Sequence, residues 1–512
     1  MRLLDQMRRD QARKKVKTMI ERSDKVDLFK SMWVIDRAQS DRNFVSPPEF
    51  DIPAEFIGAT IGNQYAIHPW EVETLLTEIL YWPIKEGDRR GNPAAWSFIS
   101  TLANALRKLE NFEYGAGGVG VVREVQRILY RQIIWQQKQI GGAPFVRWWS
   151  IINEPTLARI FKENTGVELR KFILIGSMWN VIFNGNFLSQ RMTPGQIQEL
   201  SISDIDAFIA ATSISLTAAQ AEALASRSSS GATAYRKGIL RKSPILAIRR
   251  GNVQIFVRPI ETLLKWRISS GLYYDVIATE GAGNIIGTQF EIYIRDLLKA
   301  KFSGLNVLPE FPYGTKKRPK KSPDNLLVDG DVIKWIIECK TAKIPYGVQT
   351  SAVKTPDHDR VADDLAKGVA QVCAFEEDVV AGIENVSLRL APNMVPIVVT
   401  LDDSLFFGSI FRDEIFNRAA NIARSKGRST KRIDARQVVL CSAAELEIIL
   451  SEYDVASVLN LGGVLDPSKR DYMTLSAFRE LNIPMDVPHY PLSDRLDEIF
   501  APFLPPTNQG AA

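Results

Sequence analysis

"SPDNLLVDGDVIKWIIECKTAK", residues 322–343, is the stretch on which the reading of this 512-residue chain turns. It threads Asp324, Asp329, Asp331, Glu338, Lys334, Lys340 and Lys343 through an otherwise apolar run. Two β-rich runs, "DNLLV" and "VIKWIIECK", flank "DGD" at 329–331, which is turn chemistry, so the pattern predicts a β-hairpin. Side chains alternate along a strand, so Glu338 and Lys340 project together while Cys339 points the other way. With 329–331 as the loop, Val328 faces Val332 and Asp324 faces Ile336. That register sets Asp324 on the face of Glu338, one diagonal step away. Two carboxylates and an ammonium then converge at one end of the hairpin.

Carboxylates at that separation, with the backbone carbonyl of Cys339 between them, are hard oxygen ligands suited to Mg²⁺ or Mn²⁺. Such an ion holds a phosphate oxygen and acidifies a bound water, and Lys340 is placed to orient that water or to offset developing negative charge. The chemistry implied is phosphodiester hydrolysis. Working outward, the order is helix ("GTQFEIYIRDLLKAKF"), strands near "LNVLPEF", "DNLLV" and "VIKWIIECK", helix ("RVADDLAKGVAQVCAFEEDVV") and strand ("MVPIVVTLD"). This predicts an α/β sandwich with its central strands covered on both faces.

These residues resemble the PD-(D/E)xK nucleases, which have the restriction-endonuclease-like α/β/α fold. Pro323 and Asp324 stand for the PD, and Glu338, Cys339 and Lys340 for the ExK. Phe290, Glu291 and Tyr293 look like the family's first core helix, whose glutamate often completes the metal site. "QVCAF" resembles the Gln-x-x-x-Tyr element of the RecB-type branch, with Gln371 in place and Phe375 where that branch has Tyr. The resemblance spans roughly residues 281–402. It implies a Mg²⁺- or Mn²⁺-dependent nuclease acting on nucleic acid, DNA first, in restriction, defence against foreign DNA or repair. The implied site is Asp324, Glu338, Lys340 and Glu291, with Asp324, Glu338, Cys339 and Glu291 at the metal and Gln371 on the nucleic-acid side.

Two basic clusters bear on that reading. "KKRPKK" (316–321) lies just before Asp324, which favours phosphate contacts by Lys316, Lys317, Arg318, Lys320 and Lys321. "RSKGRSTKR" (424–432) falls in a loop-like stretch after the last expected core strand. Charged surfaces are more often merely solvated, and with 64 Lys+Arg against 59 Asp+Glu only local patches could attract a polyanion.

The rest of the chain sets bounds. Its 45% hydrophobic and 24% charged content is that of a globular protein. Cys339, Cys373 and Cys441 show no CxxC spacing, which argues against disulfides and structural zinc. The first residues lack the apolar core of a signal peptide and no apolar run approaches a membrane span, so the expectation is a cytoplasmic protein with no membrane partner. The domains expected are a mainly helical 1–225, with a basic solvated helix at its start, a connecting hairpin and helix over 226–280, the nuclease-like 281–460 and an extension over 461–512. The helical half is the expected surface for selecting substrate, a partner protein or a second copy. "GAGGVG" (115–120) follows helical sequence and reads as a glycine turn rather than a nucleotide loop. Trp148 and Trp149 read as core or interface aromatics, and His358 lies in the polar loop "KTPDHDR", within reach of substrate. Two other classes stay open: an idle nuclease fold that only binds nucleic acid, and an interaction protein that works through its helical half.

Overall fold

The computed structural model describes the chain apart from residues 1, 61, 86–90, most of 117–140, 196–198, 228–231, 237, 344–354, 402–408, 466–474 and 502–512. The "GAGGVG" turn lies largely outside the described residues. Two compact units emerge, one of Met1–Gln136 and Phe161–Asp275, the other mainly of Gln137–Ile160, Val276–Gln349 and Lys354–Ala512. Both mix helix and sheet. Among the described residues no helix is long and apolar enough to cross a membrane.

In the first unit α1 (Arg2–Glu21), α2 (Lys25–Ser40), α3 (Pro69–Tyr81) and α4 (Trp96–Ala116) pack around a core that includes Trp33, Leu75 and Leu106. The basic N-terminal segment is a helix with one buried stripe: Ala12, Val16 and Ile20, spaced four apart, fall on one face. Asp24 starts α2 by accepting the N–H groups of Val26 and Asp27.

This unit is not all helix. Leu188–Ser189 (β1), Ser213–Ser215 (β2), Ile245–Arg250 (β3) and Val253–Val257 (β4) form a sheet in the order β1-β4-β3-β2. The hairpin read from "ILAIRRGNVQIFV" is present, turning at Gly251 with φ +59°. It forms the middle of that sheet rather than a connector. Strands as short as β1 and β2 carry no alternation to read, which is why the sequence shows only helices there.

The second unit is built on a five-stranded sheet of Asn306–Pro309 (β5), Asn325–Asp329 (β8), Val332–Lys340 (β9), Arg389–Thr400 (β10) and Val439–Ser442 (β11). The order is β11-β10-β9-β8-β5; β9 runs parallel to β10 and β10 to β11, while the other pairs are antiparallel. Pro312–Thr315 (β6) and Arg318–Lys321 (β7) make a separate hairpin. Flanking helices are α5 (Ala143–Ile152), α6 (Ala282–Lys301), α7 (Pro356–Val380), α8 (Ser409–Ser425) and α9 (Ala443–Glu452).

Trp335, Ile336 and Ile337 on β9 are all fully buried, which requires cover on both faces of the sheet. α6 packs on β5, β8 and β9, and α7 on β9 and β10. Trp148 of α5 is buried as read, and Trp149 partly so. The segment after residue 460 also belongs to this unit: Tyr490 meets Tyr293 at 2.7 Å and Arg495 meets Asp296 at 2.6 Å, both on α6.

Three local expectations are corrected. β11 follows β10 in the sheet, so "RSKGRSTKR" precedes the last core strand; it spans the end of α8, a turn and the short helix Lys431–Asp434. His358 sits in the first turn of α7, buried, with Nδ1 facing the N–H and hydroxyl of Thr355 at 3.3 and 3.2 Å, a helix-capping position rather than a loop. The β8–β9 turn is shorter than "DGD": Asp329 pairs with Val332, leaving Gly330 (φ +60°) and Asp331 as a two-residue loop.

Candidate active site

The register of the hairpin decides which side chains meet. A two-residue loop moves the pairing one step from a three-residue loop, and by itself that would throw Asp324 to the face opposite Glu338. An irregularity between Leu327 and Val328 restores the face. Val328 pairs with Ile333 but Leu327 with Trp335, so Lys334 is an extra residue on β9. Beyond the bulge Leu326 faces Ile336 and Asn325 faces Ile337. Asp324 therefore does not face Ile336. Continued by one residue, the register sets it opposite Glu338.

Direct contacts close this corner. Asp324 Oδ2 accepts the Cys339 N–H at 2.7 Å, and Lys340 Nζ donates to Glu338 Oε1 at 2.6 Å and to Gln371 Oε1 at 3.1 Å. Glu338 is 2% exposed, and its Oε2 is buried with no hydrogen-bond partner among the described residues. Gly368 of α7 lies over the pair. A Cβ there would come within 3.1 Å of Lys340 Cε and 3.5 Å of Glu338 Cγ, so glycine makes room for the two side chains.

The other face of the hairpin is tied to α6. Asn325, fully buried, donates to the Glu291 carbonyl at 3.2 Å and accepts from Arg295 Nε at 2.9 Å. The Cys339 thiol lies on this face, 3.8 Å from Asn325 Nδ2, so Cys339 meets Asp324 through its backbone. Phe290 and Tyr293 are buried on α6, while Glu291 is partly exposed.

Electrostatics join the carboxylates. Burial and the charge of Asp324 push Glu338 up to about 7 against the pull of Lys340, with Glu291 adding to the push. Burial, Asp324 and Glu310 likewise push Glu291 up to about 7. Asp324 is raised by burial despite its hydrogen bond from Cys339. Burial lowers the Lys340 ammonium, but Glu338 and Asp324 outweigh it and the net shift is upward. Low-dielectric surroundings make like charges this costly, and a cation among them would remove the cost.

A cation's fit can be judged from the donors. Asp324, Glu338 and Glu291 offer carboxylate oxygens, one of them buried and unpartnered, which is the chemistry Mg²⁺ or Mn²⁺ selects. Their present placement does not converge on a point: among the described residues no group of three His, Cys, Asp or Glu is arranged to hold a metal ion. Lys340 occupies one Glu338 oxygen and Cys339 N–H one Asp324 oxygen. The donor set fits by chemistry, and a shared ion would require these side chains to turn.

The basic residues before Asp324 divide into two groups. Lys320 pairs with Asp378 at 2.7 Å and Lys321 with Glu310 at 2.8 Å. Lys316, Lys317 and Arg318 are exposed at the β6–β7 turn. Asn325, Arg295, Glu310 and Gly368 escape sequence reading. Asn325 directly follows the PD pair, but nothing in the sequence indicates that it anchors α6.

No family model matches this chain, and no curated protein or solved structure does so either.

Proposed function

We propose that the second unit is a metal-dependent phosphodiesterase acting on nucleic acid, DNA first, built on the restriction-endonuclease-like plan. The observation that carries this reading is Asp324, bound to the Cys339 N–H just before β8, beside the Glu338–Lys340 pair of β9, with Glu338 Oε2 buried and unpartnered among the described residues and the charge of Glu291 on α6 adding to theirs. The order α6, β5, β8, β9, α7, β10 supports it, as does the contact between Lys340 and Gln371.

Asp324, Glu338 and Glu291 would hold Mg²⁺ or Mn²⁺. When bound, that ion supplies a Lewis acid for a phosphate oxygen and a more acidic water. The chain's own residues do the rest. Lys340 presents a positive charge to the oxygens that gain charge as phosphorus is attacked, and contacts with Glu338 and Gln371 keep it in the site. Gln371 keeps the ammonium aimed. Gly368 leaves the space that Lys340 and Glu338 occupy, since a Cβ there would press on both side chains.

The test is purified full-length protein on plasmid, linear and single-stranded DNA with Mg²⁺, Mn²⁺ or chelator. Metal-dependent cleavage that Lys340→Ala abolishes is the expected result. DNA binding without cleavage under any metal would leave the idle nuclease fold. Absence of both would move the function to the first unit as an interaction protein.

A further inference from the structure

The two basic segments, 316–321 and 424–432, are far apart in sequence but meet on one acidic corner of the second unit. That corner is "EED" at the C-terminal end of α7. Asp378, 2% exposed, accepts from Tyr313 Oη and Lys320 Nζ on Oδ2, both at 2.7 Å, and from Arg428 Nη1 on Oδ1 at 2.7 Å. Glu377 accepts the Ser429 N–H at 2.9 Å and Arg428 at 3.3 Å, and Glu376 accepts Arg432 at 2.6 Å. The β6–β7 hairpin is pinned again where Gly314 N–H donates to the Glu384 carbonyl at 3.0 Å.

Asp378 thus clamps the hairpin with one oxygen and the segment after α8 with the other. Burial pushes its carboxyl up, but the hydrogen bonds from Arg428, Lys320 and Tyr313 outweigh it and hold it below its usual range. The inner cations are neutralised. The outer ones remain: Lys316, Lys317, Arg318, Lys426 and Lys431 are exposed, with no ion pair to any of their side chains among the described residues.

We infer that these five residues form one composite surface for the phosphate backbone of a nucleic acid, with Asp378 as the brace that joins its two halves. This rests on the nucleic-acid reading of the nearby site and adds a second, separately removable contact region. Asp378 lies seven residues beyond Gln371 on α7, about 10 Å at 1.5 Å per residue. That is about the axial rise of three base pairs. The surface would therefore take phosphates flanking the one at Lys340, and it would do so without regard to sequence, because cations on exposed turns read charge and not base edges.

The measurement is the salt dependence of binding to a short DNA duplex by the full chain in chelator, with a matching RNA duplex alongside. Each phosphate contact contributes about 0.9 to the slope of log affinity against log salt on a DNA duplex. The triple variant Lys316→Ala/Lys317→Ala/Arg318→Ala should lower that slope by about 2 to 3, and Lys426→Ala/Lys431→Ala by about 2. Both losses should add in the combined variant. Asp378→Asn should weaken binding although it removes no outward cation. Whichever duplex shows both decrements identifies the source of the phosphates and supports the surface. An unchanged slope in the Lys426/Lys431 variant, with the triple variant affected, would overturn the composite surface and leave the nucleic-acid reading intact. No affinity of the parent for either duplex at low salt would overturn both. If Asp378→Asn does not fold, the surface variants still decide, because exposed cations carry no packing.

Discussion

Two sets of carboxylates, one in each unit, are handled in opposite ways. Along α3 in the first unit, each of three acids has its own arginine. Glu71 takes Arg107 at 2.7 Å on both oxygens, Glu73 takes Arg241 at 2.6 and 2.8 Å, and Glu78 takes Arg236. In the second unit Asp324 and Glu338 are also drawn from water, and Glu291 partly so. Among the described residues the only salt bridge in that trio is Lys340 to Glu338. One-to-one pairing leaves nothing for a ligand to neutralise, so it marks a structural device. Negative charge in excess of its partners costs stability, and a bound cation would offset that cost.

The comparison can be broken at four points. The largest effect belongs to the unbalanced trio: Asp324→Asn and Glu338→Gln should each lower metal-dependent cleavage on the order of 10³-fold with the fold intact, measured as initial rates on plasmid. Glu291→Ala should be milder, because water can replace a ligand carried on a helix. Parent-like rates from both Asp324→Asn and Glu338→Gln would remove the site assignment.

Next in size is the balanced set. Arg241→Ala strands the buried Glu73 and should cost about 3–5 kcal/mol in denaturant unfolding. Glu338→Gln should stabilise at pH 8, since burial and the charge of Asp324 outweigh the ion pair with Lys340 and disfavour the charged carboxylate. If both substitutions destabilise alike, the distinction between the two sets fails.

The third effect is the pH dependence of that gain. Glu338 is raised from the usual 4.5 to about 7, so its protonated form favours the fold. That contribution is complete below about 4.5 and is lost as pH rises through about 7. The stability of Glu338→Gln relative to the parent should therefore grow between pH 5 and pH 8 by on the order of 2 kcal/mol. A pH-independent difference in melting temperature between the two proteins would contradict the electrostatic picture.

The smallest effect is at the hairpin tip. Asp329 meets Lys334 at 3.5 Å with its side chain 60% exposed, so Asp329→Asn should change cleavage and stability by less than about 0.5 kcal/mol. Asn suits the same tight turn. A large loss there would mean that the turn itself positions the site.

How much of this is legible in the sequence differs by element. β9 is legible because "VIKWIIECK" is an apolar, β-branched run bounded by turn residues, and α6 because Phe290, Tyr293, Ile294 and Leu297 recur at helical spacing and are all buried. The pairing of Asp324 with Glu338 is legible only as to face. The loop is one residue shorter than "DGD" suggests and the bulge at Lys334 adds one back. These two deviations cancel in parity, so the expected face holds while the expected partner, Ile336, does not. β11 and the two shortest strands of the first unit, β1 and β2, escape notice because two to four residues carry too little period to distinguish them from loop.

The sequence by itself determined the residue types and local periods: an acid and a base two residues apart on an apolar strand, a second acid at the return of a hairpin, and two basic segments. Those properties depend only on neighbours along the chain. Tertiary structure alone decided which charges are balanced. It set Lys320 and Arg428 on the two oxygens of Asp378, left Lys316 and Lys426 facing solvent, and left Glu338 Oε2 buried without a partner among the described residues. The physical reason is that a charge's partner is chosen by distance in space. Register, bulges and the packing of helices over a sheet fix those distances, and they sum contributions from residues far apart in the chain.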